Sequence, residues 1–97
     1  MKNYKSQMKN YKLHEKVLKA LANKRRLAIV SYLRKEKEAT VGSVSDNIKL
    51  SFRATSRHLA VLYNADVVEK EQRGLEMWYR LSDNLGHIAK HVVNSLE

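Results

Sequence analysis

The chain has 97 residues, of which 43% are hydrophobic, and this composition suits one domain with a small core. It contains no cysteine, which excludes disulfides and thiolate metal sites, and no apolar run of about 18 residues, so we expect a cytoplasmic protein that does not bind membranes. The net charge of +9 favours a polyanionic partner, and the excess lies in residues 1–38, which hold 12 basic and 3 acidic side chains, against 7 of each in residues 39–97.

A seven-residue repeat opens the chain, because the segment MKNYK at residues 1–5 recurs at residues 8–12. Seven residues make about two helical turns, so the repeated residues share faces of a predicted amphipathic first helix, which we expect to fray before Lys9. One stripe of this helix holds Lys2, Lys5, Lys9, Lys12, Lys16 and Lys19, and a second holds Tyr4, Tyr11 and Leu18. Lys2, Lys5 and Lys9 either contact phosphates or form a solvated face, as charge runs usually do. We treat residues 1–12 as a basic extension of this helix and residues 13–97 as the single folded domain.

Two shorter helices follow, each preceded by a residue type that caps helices well. Asn23 is predicted to cap a second helix that ends near Lys35, because basic side chains there suit the negative end of the helix dipole. Thr40 is predicted to cap a short third helix, and its hydroxyl is also a candidate phosphate contact. The apolar positions of the third helix are Val41, Val44 and Ile48.

A fourth helix is predicted after the tight connection Lys49-Leu50, with Ser51 as its N-cap and an end near Ala65. Its buried face is expected to hold Thr55, Leu59 and Leu62. Its outer face is expected to hold Arg53, Ser56, Arg57 and Ala60.

The last third of the chain predicts a two-stranded hairpin and a fifth helix. Alternating β-branched and aromatic residues on both sides of Gly74 are typical of a hairpin. One face of its second strand would hold Met77, Tyr79 and Leu81, and the other Glu76, Trp78 and Arg80. Ser82 or Asp83 would cap the fifth helix, whose wide apolar arc consists of Leu85, Ile88, Ala89, Val92, Val93 and Leu96.

Two short helices joined by a tight turn and followed by a hairpin have the order of a winged helix-turn-helix, a mainly α fold with about five helices and a two-stranded wing. In this order the second of the two short helices enters the major groove, so residues 40–62 are the segment expected to recognise DNA. The candidate base and phosphate contacts on it are Ser51, Phe52, Arg53, Ser56 and Arg57. Phe52 either packs against thymine methyl groups or fills the core, and the two interpretations stay open.

Three segments carry a resemblance to a known family: LKALANKRRL at residues 18–27, SRHL at residues 56–59, and Gly74 with WYRL at residues 78–81. Together they resemble the ArsR-type winged-helix regulators over residues 17–81. The resemblance implies a homodimer built from the first and last helices, the fourth helix as recognition helix, and the hairpin as a wing on the minor groove or flanking phosphates. The implied dimer contacts are Leu13, Val17, Leu85, Ile88, Val92 and Leu96, and the wing candidates are Lys70, Gln72 and Arg73.

Histidines are the remaining ligand candidates. His58, on the recognition helix, borders the predicted core, so we expect a structural or phosphate-contact role rather than metal binding. Many relatives in this family sense metals, but the cysteines that some of them use are absent from residues 41–46. Asp83, His87 and His91 have i, i+4 spacing that could hold zinc, nickel or cobalt, although the spacing is not the family's usual one. The prediction is therefore a protein without a cofactor.

The sequence thus predicts a transcriptional regulator, most simply a repressor, that binds double-stranded DNA at a palindromic site as a homodimer. Two other classes stay open: a nonspecific architectural DNA-binding protein, and a winged-helix module that binds proteins. An enzyme is not expected, because the chain has no nucleophile with a paired base, no glycine-rich phosphate loop and no paired carboxylates.

Overall fold

The structure, a computed structural model, describes residues 3–96. Within them it contains five helices and three strands: α1 (Tyr4–Leu21), α2 (Lys24–Glu36), β1 (Ala39–Thr40), α3 (Val41–Ile48), α4 (Phe52–Asn64), β2 (Val68–Arg73), β3 (Glu76–Leu81) and α5 (His87–Ser95). The predicted order of helices and hairpin is confirmed. None of the helices in this part of the chain is both long and apolar enough to cross a bilayer.

Side-chain caps set the starts of the first four helices, and three of these caps were predicted. Asn23 Oδ1 accepts from the backbone N–H groups of Arg25 and Arg26 at 2.9 and 3.1 Å. The hydroxyls of Thr40 and Ser51 each accept from the N–H three residues later. The fourth cap is Asn3, whose side chain accepts from Ser6 N, so α1 begins at Tyr4 rather than fraying before Lys9.

The predicted start of the fifth helix is wrong. Helix α5 begins at His87, after Gly86, instead of at Ser82 or Asp83. Both of those residues are held by the end of the hairpin: the Ser82 hydroxyl donates to the carbonyl of Asp66, and the Asp83 N–H donates to Glu69 Oε2. These contacts keep residues 82 and 83 beside the end of the hairpin, and the chain enters α5 only after Gly86.

The hairpin belongs to a three-stranded antiparallel sheet in the order β1-β3-β2. The short strand β1 was not predicted; its Ala39 and Thr40 pair with Tyr79 and Trp78. At the other end of β3, Arg73 pairs with Glu76, so the loop consists of two residues, Gly74 and Leu75. Gly74 has φ +61°, a conformation that suits the first position of a two-residue hairpin turn and favours glycine.

The core lies where α2 and α4 meet the other elements. Its fully buried large side chains include Ile29, Leu33, Leu59, Leu62 and Val67. Helix α5 is attached to this core by Arg34 of α2, which donates to the carbonyls of Val93 and Leu96 at 3.1 and 2.6 Å. Those carbonyls lie at the end of α5. The Val93 carbonyl also accepts from the N–H of Leu96 at 3.2 Å, and Arg34 adds a charged donor to both carbonyls that helps to hold the last helix in place.

Thr55 gives a prediction about stability. Its side chain is fully buried on α4, and within the described residues its hydroxyl has no hydrogen-bond partner. Thr55→Val keeps the shape and removes the unpaired group, so we expect the free energy of unfolding in urea to rise by about 1 kcal/mol. Thr55→Ser keeps the hydroxyl and loses the methyl group, so it should lower the free energy of unfolding by about 1 kcal/mol. A less stable valine variant would show that the hydroxyl is paired.

Candidate nucleic-acid interface

A three-residue connection between α3 and α4 builds the helix-turn-helix. Lys49 ends α3 in the left-handed conformation, with φ 55° and ψ 52°, which turns the chain sharply. The N–H of Leu50 then donates to the carbonyl of Ser45, and Ser51 caps α4. Because Thr55, Leu59 and Leu62 are buried as predicted, the opposite side of α4 faces outward.

The outer side of α4 carries the predicted DNA-contacting residues. Phe52 is 62% exposed, so its interpretation as a core residue is wrong for this chain. Arg53 and Arg57 are exposed, and no described residue forms an ion pair or hydrogen bond with either guanidinium. Ser56 is half-buried, and α4 contains no acidic residue. This helix therefore presents two unneutralised arginines and one exposed aromatic ring.

His58 lies at the edge of this surface and has a structural partner. Its Nδ1 is 3.3 Å from Nη1 of Arg26 on α2. Since arginine only donates, Nδ1 must accept, and the neutral ring must carry its proton on Nε2. Partial burial lowers the pKa of His58, and the positive charges of Arg26 and Arg25 lower it further. The predicted structural role of His58 agrees with this contact.

We expect the protein to lose stability as the pH falls below about 6.5, the ordinary pKa of histidine. Because its pKa is lowered in the folded state, the unfolded state binds the proton first, and stability falls until the folded His58 is also protonated. Urea unfolding at about pH 7.5 and 5.5 measures the change. His58→Gln keeps an acceptor that does not titrate, so it should reduce the pH dependence. An unchanged pH dependence in that variant would contradict the assignment.

The cations of the wing, residues 68–81, are occupied within the protein. Arg73 donates to both carboxylate oxygens of Glu38 at 2.9 and 2.8 Å, and to Glu71 at 2.7 Å. Its guanidinium also lies 4.9 Å from the centre of the Trp78 ring. Lys70 Nζ lies 4.3 Å from the centre of the Tyr63 ring. Two predicted wing contacts are thus engaged before any DNA is bound.

The rest of the wing is also close to electrically balanced. Gln72 donates to the carbonyl of Gly74, and Arg80 lies 3.5 Å from Glu69. Residues 68–81 contain three basic and three acidic side chains. The outermost side chain is Leu75, which is fully exposed at the turn.

Glu38→Gln should strengthen DNA binding, since hydrogen bonding from Arg73 lowers the pKa of Glu38 and keeps it ionised at neutral pH. The variant removes that charge and leaves Glu71 as the ionised partner of Arg73, so Arg73 can more readily meet a phosphate, and the slope of log affinity against log salt should steepen by up to about 1. Titrations of duplex DNA at several salt concentrations test this. The control is Glu36→Gln, an equal charge change at an exposed residue outside this cluster. Equal slopes for both variants would mean that Arg73 stays bound.

The other predicted phosphate contacts differ in their surroundings. The Thr40 hydroxyl is used as a cap and also donates to the hydroxyl of Ser43 at 3.2 Å. Lys5 and Lys9 are exposed, as are the other described lysines of α1. Lys2 lies outside the described residues. Helix α1 carries five lysines and one glutamate, a net charge of +4 that equals the net charge of α2.

The proposed metal ligands do not share a helical face. Asp83 lies in the turn before α5, four residues ahead of His87, so only His87 and His91 are one turn apart on the helix. Across residues 3–96, no group of three His, Asp or Glu side chains is arranged to hold a metal ion. The i, i+4 argument for a three-residue site is therefore wrong, because it assumed that the helix began earlier.

The predicted dimer contacts lie on α1, on α5 and beside α5. Helices α1 and α5 pack against each other. Leu13 is 62% exposed. The remaining predicted contacts are half-buried within the single chain: Val17, Leu85, Ile88, Val92 and Leu96. Helix α1 additionally exposes an apolar stripe that consists of Tyr4, Met8, Tyr11 and Leu18.

Sequence reasoning missed three residues of this region. Arg26 was noted only as part of a family-like segment, and Glu38 was not considered at all, because their partners lie 32 and 35 residues away. Leu75 could have been found, since the residue after the glycine of a two-residue turn has no neighbour to cover it.

Comparisons with known proteins agree with this architecture. The model of the bacterial regulatory protein family named arsR matches residues 23–70. Transcriptional activator HlyU of Vibrio cholerae is 39% identical over 66 residues, which cover 68% of this chain and 60% of HlyU. The solved structure of reduced HlyU from that species has a TM-score of 0.77 at 32% identity and covers 93% of this chain and 90% of HlyU.

Two mycobacterial proteins are also similar. The HTH-type transcriptional repressor SmtB of Mycobacterium tuberculosis is 38% identical over 80 residues, covering 82% of this chain and 57% of SmtB. Mb0332 from Mycobacterium bovis, described as a homodimeric winged helix-turn-helix DNA-binding domain, has a TM-score of 0.78 at 24% identity, covers 98% of this chain and 82% of that one, and supports the fold alone. The chain spans 60% and 57% of the length of the curated HlyU and SmtB sequences.

A helix-turn-helix followed by a hairpin, with free arginines on the outer side of the second helix, defines a winged helix-turn-helix protein. The chain belongs to the ArsR family of bacterial regulatory proteins. The resemblance found in the sequence is confirmed, and so is the prediction of a regulatory protein rather than an enzyme.

Proposed function

We propose that this protein represses transcription by binding a palindromic DNA site as a homodimer in the cytoplasm. The observation that carries the proposal is the outer side of α4, where Arg53 and Arg57 are exposed and form no ion pair with any described residue. Arginine is the side chain best suited to guanine, which it binds through two parallel hydrogen bonds in the major groove. Phe52, 62% exposed beside them, offers an apolar surface for thymine methyl groups.

The apolar stripe of α1 supports the dimer. Tyr4, Met8, Tyr11 and Leu18 are between 44% and 72% exposed, and a contiguous apolar surface of this kind is typical of an interface. In a twofold dimer the two α4 helices enter successive major grooves about 34 Å apart, which requires a palindromic site.

The lysines of α1 supply attraction to phosphates in this proposal. They are exposed and have one acidic neighbour on the helix, Glu15, whose ion pair with Lys19 is long at 3.9 Å. The wing, by contrast, contributes little net charge. We therefore assign affinity to α1 and base preference to α4.

Repression needs no surface beyond the DNA-binding one, because a dimer bound at a promoter excludes other proteins from the same DNA. Among the relatives, HlyU is named an activator and SmtB a repressor. A reporter gene controlled by the preferred DNA site of the protein distinguishes repression from activation. We propose that neither repression nor activation requires a metal cofactor.

Selection of bound duplexes from a random pool, with and without zinc or nickel, tests the proposal. A palindromic consensus bound at least about 10³-fold more tightly than random duplex, and unchanged by metal, is expected. A preference close to one would reject sequence-specific regulation and favour an architectural DNA-binding protein. No binding to any duplex would favour a protein-interaction module, and a consensus that disappears with metal would contradict the cofactor-free mechanism.

A further inference from the structure

Arg26 joins three helices through one guanidinium group. It lies in the first turn of α2, and its Nε and Nη2 donate to the carbonyls of Ala20 and Lys19 at 2.5 and 3.2 Å. Both carbonyls belong to the last turn of α1. Its Nη1 donates to Nδ1 of His58 on α4 at 3.3 Å. The end of α1 and the side of α4 are therefore held by the same planar group.

These hydrogen bonds fix the distance between the end of α1 and the side of α4 more strictly than apolar packing does. The last carbonyls of a helix have no partner within the helix, so a donor that satisfies them also holds that end in place. The guanidinium presents its N–H groups in a rigid fork, which leaves little freedom to the groups that it binds. His58 accepts only while it is neutral and protonated on Nε2.

We propose that Arg26 is a positioning residue for DNA recognition, because it fixes α4 against α1, the helix through which the subunits pair. The inference rests on the proposed dimeric, DNA-binding function. In such a dimer, α1 forms the subunit interface. The Arg26–His58 contact then fixes the position of each α4 relative to that interface. A loosened α4 loses its directional bonds to bases, while phosphate contacts tolerate the change.

The neighbouring Arg25 provides a matched control. Its Nη1 donates to the carbonyl of Ile48, at the end of α3, at 3.4 Å. Arg25 thus also binds a helix end and stands beside Arg26 in the sequence. Its charge acts on His58, but the two side chains form no hydrogen bond in the described structure. Replacement by lysine keeps the charge at either position and removes the fork.

The test compares five proteins: the parent, Arg26→Lys, Arg25→Lys, His58→Leu and His58→Gln. For each, affinity is measured for the selected duplex and for a random duplex. Arg26→Lys and His58→Leu should lower the ratio of the two affinities about tenfold, the effect of one hydrogen bond to a charged group. Arg25→Lys and His58→Gln should keep the parent's ratio, because glutamine still offers an acceptor to Arg26.

Several results would overturn the proposal. One is an unchanged ratio in Arg26→Lys or His58→Leu when thermal unfolding shows both to be folded. Another is an equal loss in His58→Gln and His58→Leu, which would mean that the ring itself contacts DNA. ¹⁵N shifts of the imidazole in the parent need no variant: the proposal requires an unprotonated Nδ1, and a protonated one refutes it. A parent without a preferred duplex would reject the proposed function separately.

Discussion

Arg57→Ala should weaken binding to the selected duplex by about 1 to 3 kcal/mol and relax the base preference at one position of each half-site. Arg53→Ala should act in the same way at a different position. Both guanidinium groups are exposed and without an ion pair in the described part of the chain, so each can approach a base edge with both of its parallel donors. Titration of the selected duplex and of single-base variants measures both effects.

Loss of one positive charge is the alternative explanation, and Lys35→Ala controls for it. Lys35 is exposed in the last turn of α2, outside the two helices of the helix-turn-helix. That variant should lower the affinities for the selected and the random duplex equally. If the two arginine variants behave like Lys35→Ala, their side chains contact phosphates only. If all three bind like the parent, α4 is not the recognition helix.

A second large effect is expected from the apolar stripe of α1. Leu18→Glu together with Tyr11→Glu should convert the dimer into monomers, because two carboxylates would have to be buried without partners. Binding to the palindrome should then weaken by about 10² or more, since the second half-site contact is no longer made within one complex. Analytical ultracentrifugation and DNA titration measure the two changes.

The fold of the monomer should survive these substitutions. Leu18 and Tyr11 are 46% and 55% exposed in the single chain, so little apolar contact is lost on mutation. Leu75→Glu is the control for dimerisation, because Leu75 is a fully exposed leucine at the tip of the wing. A double variant that remains dimeric would place the subunit contact on another surface.

Local features of this fold could be predicted from the sequence, and contacts between distant residues could not. Asn23, Thr40 and Ser51 cap helices through bonds that reach only two or three residues ahead, so residue type and spacing were sufficient. Ser82 has the same chemistry but bonds to Asp66, 16 residues earlier, and the predicted helix start failed there.

The same difference between local features and long-range contacts applies to the candidate site. Apolar spacing predicted that Arg53 and Arg57 would face outward, because helical periodicity fixes directions around the axis. It did not decide between exposure and burial for Phe52, which depends on whether another element covers that end of α4. The ion pair between Arg73 and Glu38 joins a strand to a segment 35 residues away, and no sequence pattern in either segment predicts it.

If the protein has the proposed function, the internal ion pairs of the wing have a consequence for how it searches a genome. A chromosome offers on the order of 10⁶ or more nonspecific positions for each operator, and a protein with many free cations spends most of its time bound to them. By holding Arg73 between Glu38 and Glu71, the fold would shorten each such stay in the proposed function and leave unchanged the side chains proposed to recognise bases. Fewer copies of the protein would then be needed to keep one operator occupied.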